Sequence, residues 1–371
     1  MKKRPISLLL LLTLLLSTGN CHAKKLIPPT HPAIHYMGRV DRSNPQAVRF
    51  DWPGVSVGCR FTEEQIGLRI EGGEKNHFNL FIDGDLVSIF SAPRDTTLYF
   101  RSSNHAASHE LLLTKRTEAD MGMTRFRGFI LEEKGEILPS PRPTGRRVEF
   151  IGNSITCGYG TEGNNRDERF RPDTENNYKS YAAILARAFS AEAHFIAHSG
   201  KGAVRNYGDE KPVSDPEETM PGRYGRTLDN DPSQPWEFCQ WKADCVVINL
   251  GTNDFSTTPH PDRDSFLKAY KELISTVRNT HGNVPVFCVV GPMINEPCFS
   301  YIKDLTLYYR DQEKDEQLYF AGLPDNLLNQ EDDLGSDWHP SYQGQLKIAA
   351  QLLVPIATVM EWDFQSDEIF P

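Results

Sequence analysis

The feature that most limits how this chain can fold lies in its second half. Five short apolar runs, at residues 147–151, 193–197, 245–250, 284–290 and 318–320, alternate with helical patterns at 180–189, 264–280, 299–313 and 342–358. The apolar runs are continuous, as expected of strands covered on both faces. Strand and helix in turn predict a mostly parallel sheet with helices on both sides, a three-layer α/β domain over residues 146–365.

Open α/β sheets bind ligands outside the carboxyl ends of their strands. Small and polar residues gather at those ends here. Gly152-Asn153-Ser154-Ile155-Thr156-Cys157-Gly158-Tyr159-Gly160 follows the first run, His198-Ser199-Gly200-Lys201-Gly202 the second, and Gly251-Thr252-Asn253-Asp254 the third. Ser336-Asp337-Trp338-His339-Pro340 stands just before the last helical pattern. These stretches are expected to converge on Ser154.

A serine hydroxyl is a weak nucleophile and needs a general base within hydrogen-bond reach. Imidazole is the usual choice because it titrates near neutrality. His339 fills that place: its loop closes onto a helix start, and Pro340 fixes the chain after it. Acyl transfer also places negative charge on the carbonyl oxygen, which calls for preorganised donors. The Ser154 backbone N–H, a glycine N–H and the Asn253 side-chain amide suit that task. Counting from the strand end favours Gly202, with Gly200 as the alternative. Asn253 reads equally as an Asx-turn residue, and either glycine as a tight-turn residue.

Residues 30–143 read differently. Alternating runs at 55–61, 66–70 and 79–83 have the period of half-buried strands, and Asp83-Gly84-Asp85 between 78–82 and 86–90 is a short hairpin signal. Further strands are predicted at 97–101, 109–115 and 127–132. Many short strands separated by turn residues indicate an all-β sandwich of the jelly-roll kind. Its role is either glycan binding, a wall of the neighbouring site, or purely structural. Pro139-Ser140-Pro141-Arg142-Pro143 marks a stiff linker to the second domain.

At the N-terminus, Lys2, Lys3 and Arg4 precede a leucine-rich run at 8–16 and then Cys21-His22-Ala23. A basic head, an apolar middle and small residues at the end describe a secretory signal peptide over residues 1–23. The apolar run is far shorter than the roughly 20 residues of a spanning helix, so no transmembrane span is expected in the mature chain. Cleavage would change the net charge from −10 to −13, and lipid attachment at Cys21 is an alternative form of export. No cluster of Lys and Arg forms a nucleic-acid footprint, which excludes DNA and RNA as partners. Outside the leader the chain has six cysteines, in spacings that match no metal or disulfide framework.

The four stretches resemble the conserved blocks of the SGNH, or GDSL-type, hydrolases, with Gly152-Asn153-Ser154 and Gly251-Thr252-Asn253-Asp254 the most specific. Thr156 stands where Gly-x-Ser-x-Gly would need its last glycine, which argues against the ordinary α/β-hydrolase fold. The longer pattern resembles carbohydrate esterase family 2, on residues 154–160, 199–202, Arg205-Asn206-Tyr207-Gly208 and Asp337-Trp338-His339-Pro340-Ser341. That resemblance implies an N-terminal jelly roll with a C-terminal SGNH domain, Ser154 as nucleophile, His339 as base and Asn253 as an oxyanion donor. It also implies that backbone carbonyls can orient the imidazole of a dyad.

Two positions depart from the commonest SGNH pattern. Asn153 stands where many members have Asp. Ser336 stands three residues before the histidine, where the acid of a triad usually lies, while Asp337 is two residues before it. The reading is therefore a Ser154–His339 dyad with Asp337 as an optional third member. The reaction needs no metal or organic cofactor.

The expected substrate is an acetylated plant polysaccharide such as xylan or glucomannan. Trp338 and Tyr224 are candidate platforms for a sugar ring, Tyr224 within a long insertion at 207–240 that is expected to form a rim. Two alternatives stay open: a general GDSL lipase or short-chain arylesterase, and a non-catalytic glycan-binding protein on an esterase scaffold.

Overall fold

The computed structural model describes residues 23–140 and 145–369. Nearly all of the expected leader, Cys21 included, and the Pro141–Pro143 part of the linker lie outside the described residues.

In the second half the apolar runs form one sheet of five parallel strands. Its spatial order is Glu192–Ala197, Arg147–Gly152, Cys245–Asn249, Val286–Val290 and Leu318–Gly322. Alternate side chains serve opposite layers. Val148, Phe150, Phe195, Val247 and Phe287 pack with helices Tyr181–Ala188 and Tyr342–Met360. Ile151, Ile196, Val246, Ile248 and Cys288 face helices Arg263–His281 and Cys298–Tyr308. Four of the strands are thus buried on both faces, which explains their unbroken apolar sequence, while Leu318–Gly322 at the edge is only partly buried. Three of the helices begin where a side-chain oxygen caps the first turn: Ser180 accepts from Ala183 N–H, Asp262 from Ser265 N–H, and Ser341 from Gly344 N–H. The pattern at 299–313 yields an α-helix only to Tyr308; the chain then widens into a π turn that ends at Lys314, φ +57°.

The strand order reverses at Arg147–Gly152, which has the second and third strands as its two neighbours. This switch point brings the loops that begin at Asn153, His198 and Leu250 side by side at one edge of the sheet.

The first half forms two antiparallel sheets that share a core. Phe50, Ile66, Leu68, Phe126 and Phe129 come from one sheet and Val57, Phe61, Phe78, Leu80 and Leu111 from the other. Asp83 (φ +54°) and Gly84 (φ +88°) make the expected hairpin turn between Gly73–Ile82 and Asp85–Ala92. Thr124–Glu132 slips register between Phe126 and Gly128. This bulge lets Phe126 and Phe129, three residues apart, both point into the core. Gly128 is required there: its φ is +118°, and a Cβ would lie 2.1 Å from the Ile27 carbonyl oxygen.

The insertion that contains Tyr224 is mostly an interdomain clamp rather than a rim. Trp52 donates to the Thr227 carbonyl at 3.1 Å, and Asp51 accepts from the Asp229 and Asn230 amides at 2.8 and 3.1 Å. Tyr224 itself is fully buried, with its hydroxyl 2.6 Å from Glu149 Oε2 and 3.0 Å from His281 Nε2. It therefore cannot stack on a sugar; burial of Glu149, Arg39 and His281 at the domain boundary requires it as a partner. Five of the six described cysteines are buried and Cys239 is exposed, and all six are free thiols.

Candidate active site

The chain leaves the central strand at Gly152 and turns at once into the short helix Ser154–Cys157. A Cβ on Gly152 would lie 2.0 Å from Thr156 Oγ1, so only glycine lets the helix pack this tightly on the strand. Asn153 caps the turn. Its side-chain oxygen accepts from Ile155 N–H at 3.1 Å, and its carbonyl accepts from Thr156 and Cys157 at 3.0 and 2.9 Å. Ser154 N–H remains the amide of this turn without a partner among the described residues. Asn153 thus serves as the helix cap that an aspartate would otherwise provide.

His339 Nε2 lies 2.8 Å from Ser154 Oγ, and His339 Nδ1 lies 3.0 Å from the backbone carbonyl of Asp337. A carbonyl can only accept, so Nδ1 carries the proton and Nε2 is the acceptor that faces the serine. The loop achieves this with two successive non-glycine residues in the left-handed region, Asp337 (φ +50°) and Trp338 (φ +63°). Four backbone bonds hold the strained turn in place: Ser336 N–H to Gly160 O, Asp337 N–H to Glu168 O, Trp338 N–H to Arg166 O and Gly335 N–H to His339 O.

The Asp337 carboxylate does not touch the imidazole. It accepts from Phe170 N–H at 3.1 Å, Tyr159 Oη at 3.2 Å and Arg169 Nη1 at 3.2 Å. The optional third member of the sequence reading thus enters through its carbonyl, while its side chain fastens the loop. Ser336, at the usual acid position, is fully buried against Gly160 and Gly163. A Cβ on Gly163 would lie 2.2 Å from Ser336 Oγ, so this corner holds nothing larger. Tyr159 lies over the His339 ring at a centroid distance of 4.3 Å and is itself stacked on Phe170 at 3.9 Å. Burial outweighs the favourable bond to the Asp337 carbonyl and pushes the His339 pKa down to about 4.

Asn253 reaches the same edge of the sheet. Gly251 turns the chain with φ +117°, and Asn253 follows in the short helix Thr252–Phe255. Its amide donates to the Lys201 carbonyl at 2.8 Å, which leaves the second proton of the NH2 group available. The next residue, Asp254, is fully buried and accepts from the Ala203, Val204 and Arg205 amides at 2.9, 2.7 and 2.9 Å. It ties the loop after the second strand to the loop after the third. Sequence reasoning gave Asp254 no role, although its place beside Asn253 was the available signal.

The two glycines of that loop differ. Gly202 N–H already donates to Asn206 Oδ1 at 3.2 Å, and a Cβ there would lie 2.0 Å from the Arg205 carbonyl and 2.6 Å from Asp254 Oδ2. Gly202 is a packing glycine with its amide engaged, contrary to the count from the strand end. Gly200, with φ +77°, is the remaining candidate. Trp338 is exposed beside His339, with the Arg166 guanidinium 4.5 Å over its ring. Tyr207, not singled out from sequence as a binding residue, is 60% exposed and donates its backbone N–H to Gly200 O at 2.8 Å.

Known proteins share both halves of this chain. Residues 36–141 match the carbohydrate esterase 2 N-terminal family and residues 150–347 the GDSL-like lipase/acylhydrolase family. A family two carbohydrate esterase from Clostridium thermocellum, solved in complex with cellohexaose, is 37% identical with a TM-score of 0.82, over 89% of this chain and 99% of that one. The cellulase/esterase CelE of Acetivibrio thermocellus is 37% identical over 90% of this chain, which spans only 40% of that protein. An acetylxylan esterase/glucomannan deacetylase of Cellvibrio japonicus is 26% identical over 95% of this chain and 97% of its own length.

Proposed function

The chain belongs to the family two carbohydrate esterases, and from that premise we propose that it removes O-acetyl groups from plant polysaccharides such as xylan and glucomannan through an acetyl-Ser154 intermediate. The observation that carries the reading is the 2.8 Å contact of Ser154 Oγ with a His339 ring whose other nitrogen is committed to a carbonyl.

In acylation Ser154 Oγ attacks the acetyl carbonyl carbon while His339 Nε2 takes the hydroxyl proton. The tetrahedral oxyanion is met by Ser154 N–H, the free proton of the Asn253 amide and Gly200 N–H. His339 then returns its proton to the departing sugar oxygen, the C–O ester bond breaks, and Ser154 is left acetylated. A water, deprotonated by His339, attacks the acetyl group; acetate leaves and Ser154 recovers its proton. The residues Asn253 and Asp254 keep two sheet loops in register, so the donors are fixed before substrate binds.

The exposed rings of Trp338 and Tyr207 stand near this centre as surfaces for a sugar ring. They support a glycan rather than a lipid as the alcohol side of the ester. A long-chain lipase would need an apolar acyl pocket at the serine. A cavity of about 670 Å³ lies between the domains, lined by residues such as His35, Met37, Tyr178 and Phe195. A polymer substrate also fits the secretory leader read at residues 1–23. Among the described residues no helix is long and apolar enough to cross a membrane.

The test is hydrolysis of acetylated xylan, acetylated glucomannan and aryl esters of rising acyl length, with Ser154→Ala as control. Acetate release from the polymers, loss of rate beyond acetyl, and an inactive control are expected. Residual activity in Ser154→Ala would sink the mechanism, and preference for long acyl chains the substrate assignment.

A further inference from the structure

One side chain of the β-sandwich domain reaches the catalytic loops. Glu118 follows the strand His109–Lys115 and precedes a single 3-10 turn, Ala119–Met121. It is buried, and its Oε2 accepts from Ser199 N–H at 2.6 Å. The same oxygen lies 3.7 Å from Cys157 Sγ, a weak donor. Ser199 is the residue before Gly200, and Cys157 is three residues after Ser154 in the same helical turn. One carboxylate oxygen thus touches the segments that carry the nucleophile and the glycine donor.

Glu118 is itself held on both sides. Its N–H donates to Glu175 Oε1 at 3.0 Å, and Lys115 Nζ donates to its carbonyl at 2.9 Å. Asp120, on the same turn, lies 3.3 Å from His198 Nε2, and His198 Nδ1 lies 2.5 Å from Asp229. The first domain therefore grips both His198 and Ser199. Burial opposes charge on His198, but its bonds to Asp120 and Asp229 prevail and push its pKa up to about 10. The ligand atoms of Glu118, Cys157 and Glu175 lie within 4.8 Å of one another, as a metal site would need. The Lys115 ammonium already supplies the positive charge, however, and burial keeps the protons on Cys157 and Glu175. A hydrogen-bond acceptor is the role that remains.

We propose that Glu118 is a positioning residue for the esterase reaction, a side chain of the β-sandwich domain whose carboxylate holds the Ser199–Gly200 turn against Ser154 and so aims the oxyanion donor. The inference rests on the serine mechanism above. Its cost when broken is one of geometry, since misplacing a catalytic group by about 1 Å can lower the rate on the order of 10²-fold.

The test compares kcat, KM and Tm for hydrolysis of an aryl acetate by the full chain and by Glu118→Ala, Glu118→Gln and Glu118→Asp, with Ser154→Ala alongside. Glu118→Ala is expected to lose about tenfold or more in kcat with KM within about threefold. Glu118→Gln, whose amide oxygen still accepts, is expected to recover kcat to within about fivefold of the parent. If Glu118→Ala does not fold, Glu118→Asp decides: it keeps the charge but withdraws the oxygen, and a tenfold kcat loss at unchanged Tm is expected. A kcat loss below tenfold in the folded variant, a loss carried by KM, or equal losses in the Ala and Gln variants would overturn the proposal. An active Ser154→Ala would instead remove the serine mechanism, whatever the Glu118 variants do.

Discussion

The carbonyl of Asp337, and not its carboxylate, meets His339 Nδ1 at 3.0 Å. The carboxylate is turned toward Phe170, Tyr159 and Arg169. Where a carboxylate orients a catalytic histidine, changing it to the amide costs about 10⁴-fold in kcat because the wrong tautomer is favoured. Asp337→Asn should therefore behave differently here. Asparagine tolerates the left-handed φ of +50° and leaves the carbonyl in place. Activity within about tenfold of the parent is expected, against a loss of roughly 10³ or more for His339→Ala. A 10⁴-fold loss in Asp337→Asn would return the carboxylate to the role of acid partner.

The pH dependence follows from the half-buried ring. With its pKa pushed down to about 4, His339 is neutral and able to accept the Ser154 proton well below the ordinary imidazole range. The acid limb of kcat/KM should therefore lie below about pH 6.5, displaced toward 4. The folded value is lower than the unfolded one, so the linked stability is complete above about pH 6.5 and is lost as pH falls through the folded value. Tyr159→Ala, which uncovers the ring, should move the limb upward; an unchanged limb would assign it to another group.

Asn253 and Gly202 should separate in opposite ways. Asn253→Ala removes a donor to the oxyanion and is expected to lower kcat by about 10²–10³ with little change in Tm. Gly202→Ala forces a Cβ to within 2.0 Å of the Arg205 carbonyl, so its effect should appear first in Tm, with a destabilisation of roughly 1–3 kcal/mol. Thermal melts and initial rates on one aryl acetate check both.

Trp338 and Tyr224 are a second such pair. Trp338→Ala should raise KM for acetylated polymer while leaving small aryl acetates nearly unaffected. Tyr224→Phe should leave both KM values alone and cost about 1–3 kcal/mol in stability, because Glu149 loses a hydrogen bond inside the protein. Equal KM changes in the two variants would remove Trp338 from the binding surface.

The contrast between those aromatics shows what a sequence can disclose. The places of Ser154, His339 and Asn253 near strand ends or a helix start can be read locally, and the strand order then gathers the ends that precede Ser154 and Asn253. The parallel sheet was legible for a similar reason, since burial on both faces writes an unbroken apolar run. Tyr224 was misplaced because a Pro- and Gly-rich insertion looks like surface wherever it docks, and its partners Arg39, Glu149 and His281 are distant in sequence. Gly202 was preferred over Gly200 because counting cannot see that Asn206 already occupies an amide. Asp337 was ambiguous because its side chain and its carbonyl point in different directions, a consequence of two left-handed residues that no propensity favours. The strand Val48–Phe50 and the bulge at Gly128 were invisible for want of a periodic signal.

The packing of Ser336 against Gly160 and Gly163 also has a consequence for how such a site can diverge. A change of Ser336 to aspartate would place a carboxylate in a corner with no room for it, closed by backbone that itself holds the histidine loop. Ser336→Asp alone is therefore expected to disturb this corner rather than to supply His339 with a carboxylate. The loop 160–163 would have to move in the same step for a side-chain carboxylate to take the place of the Asp337 carbonyl beside His339.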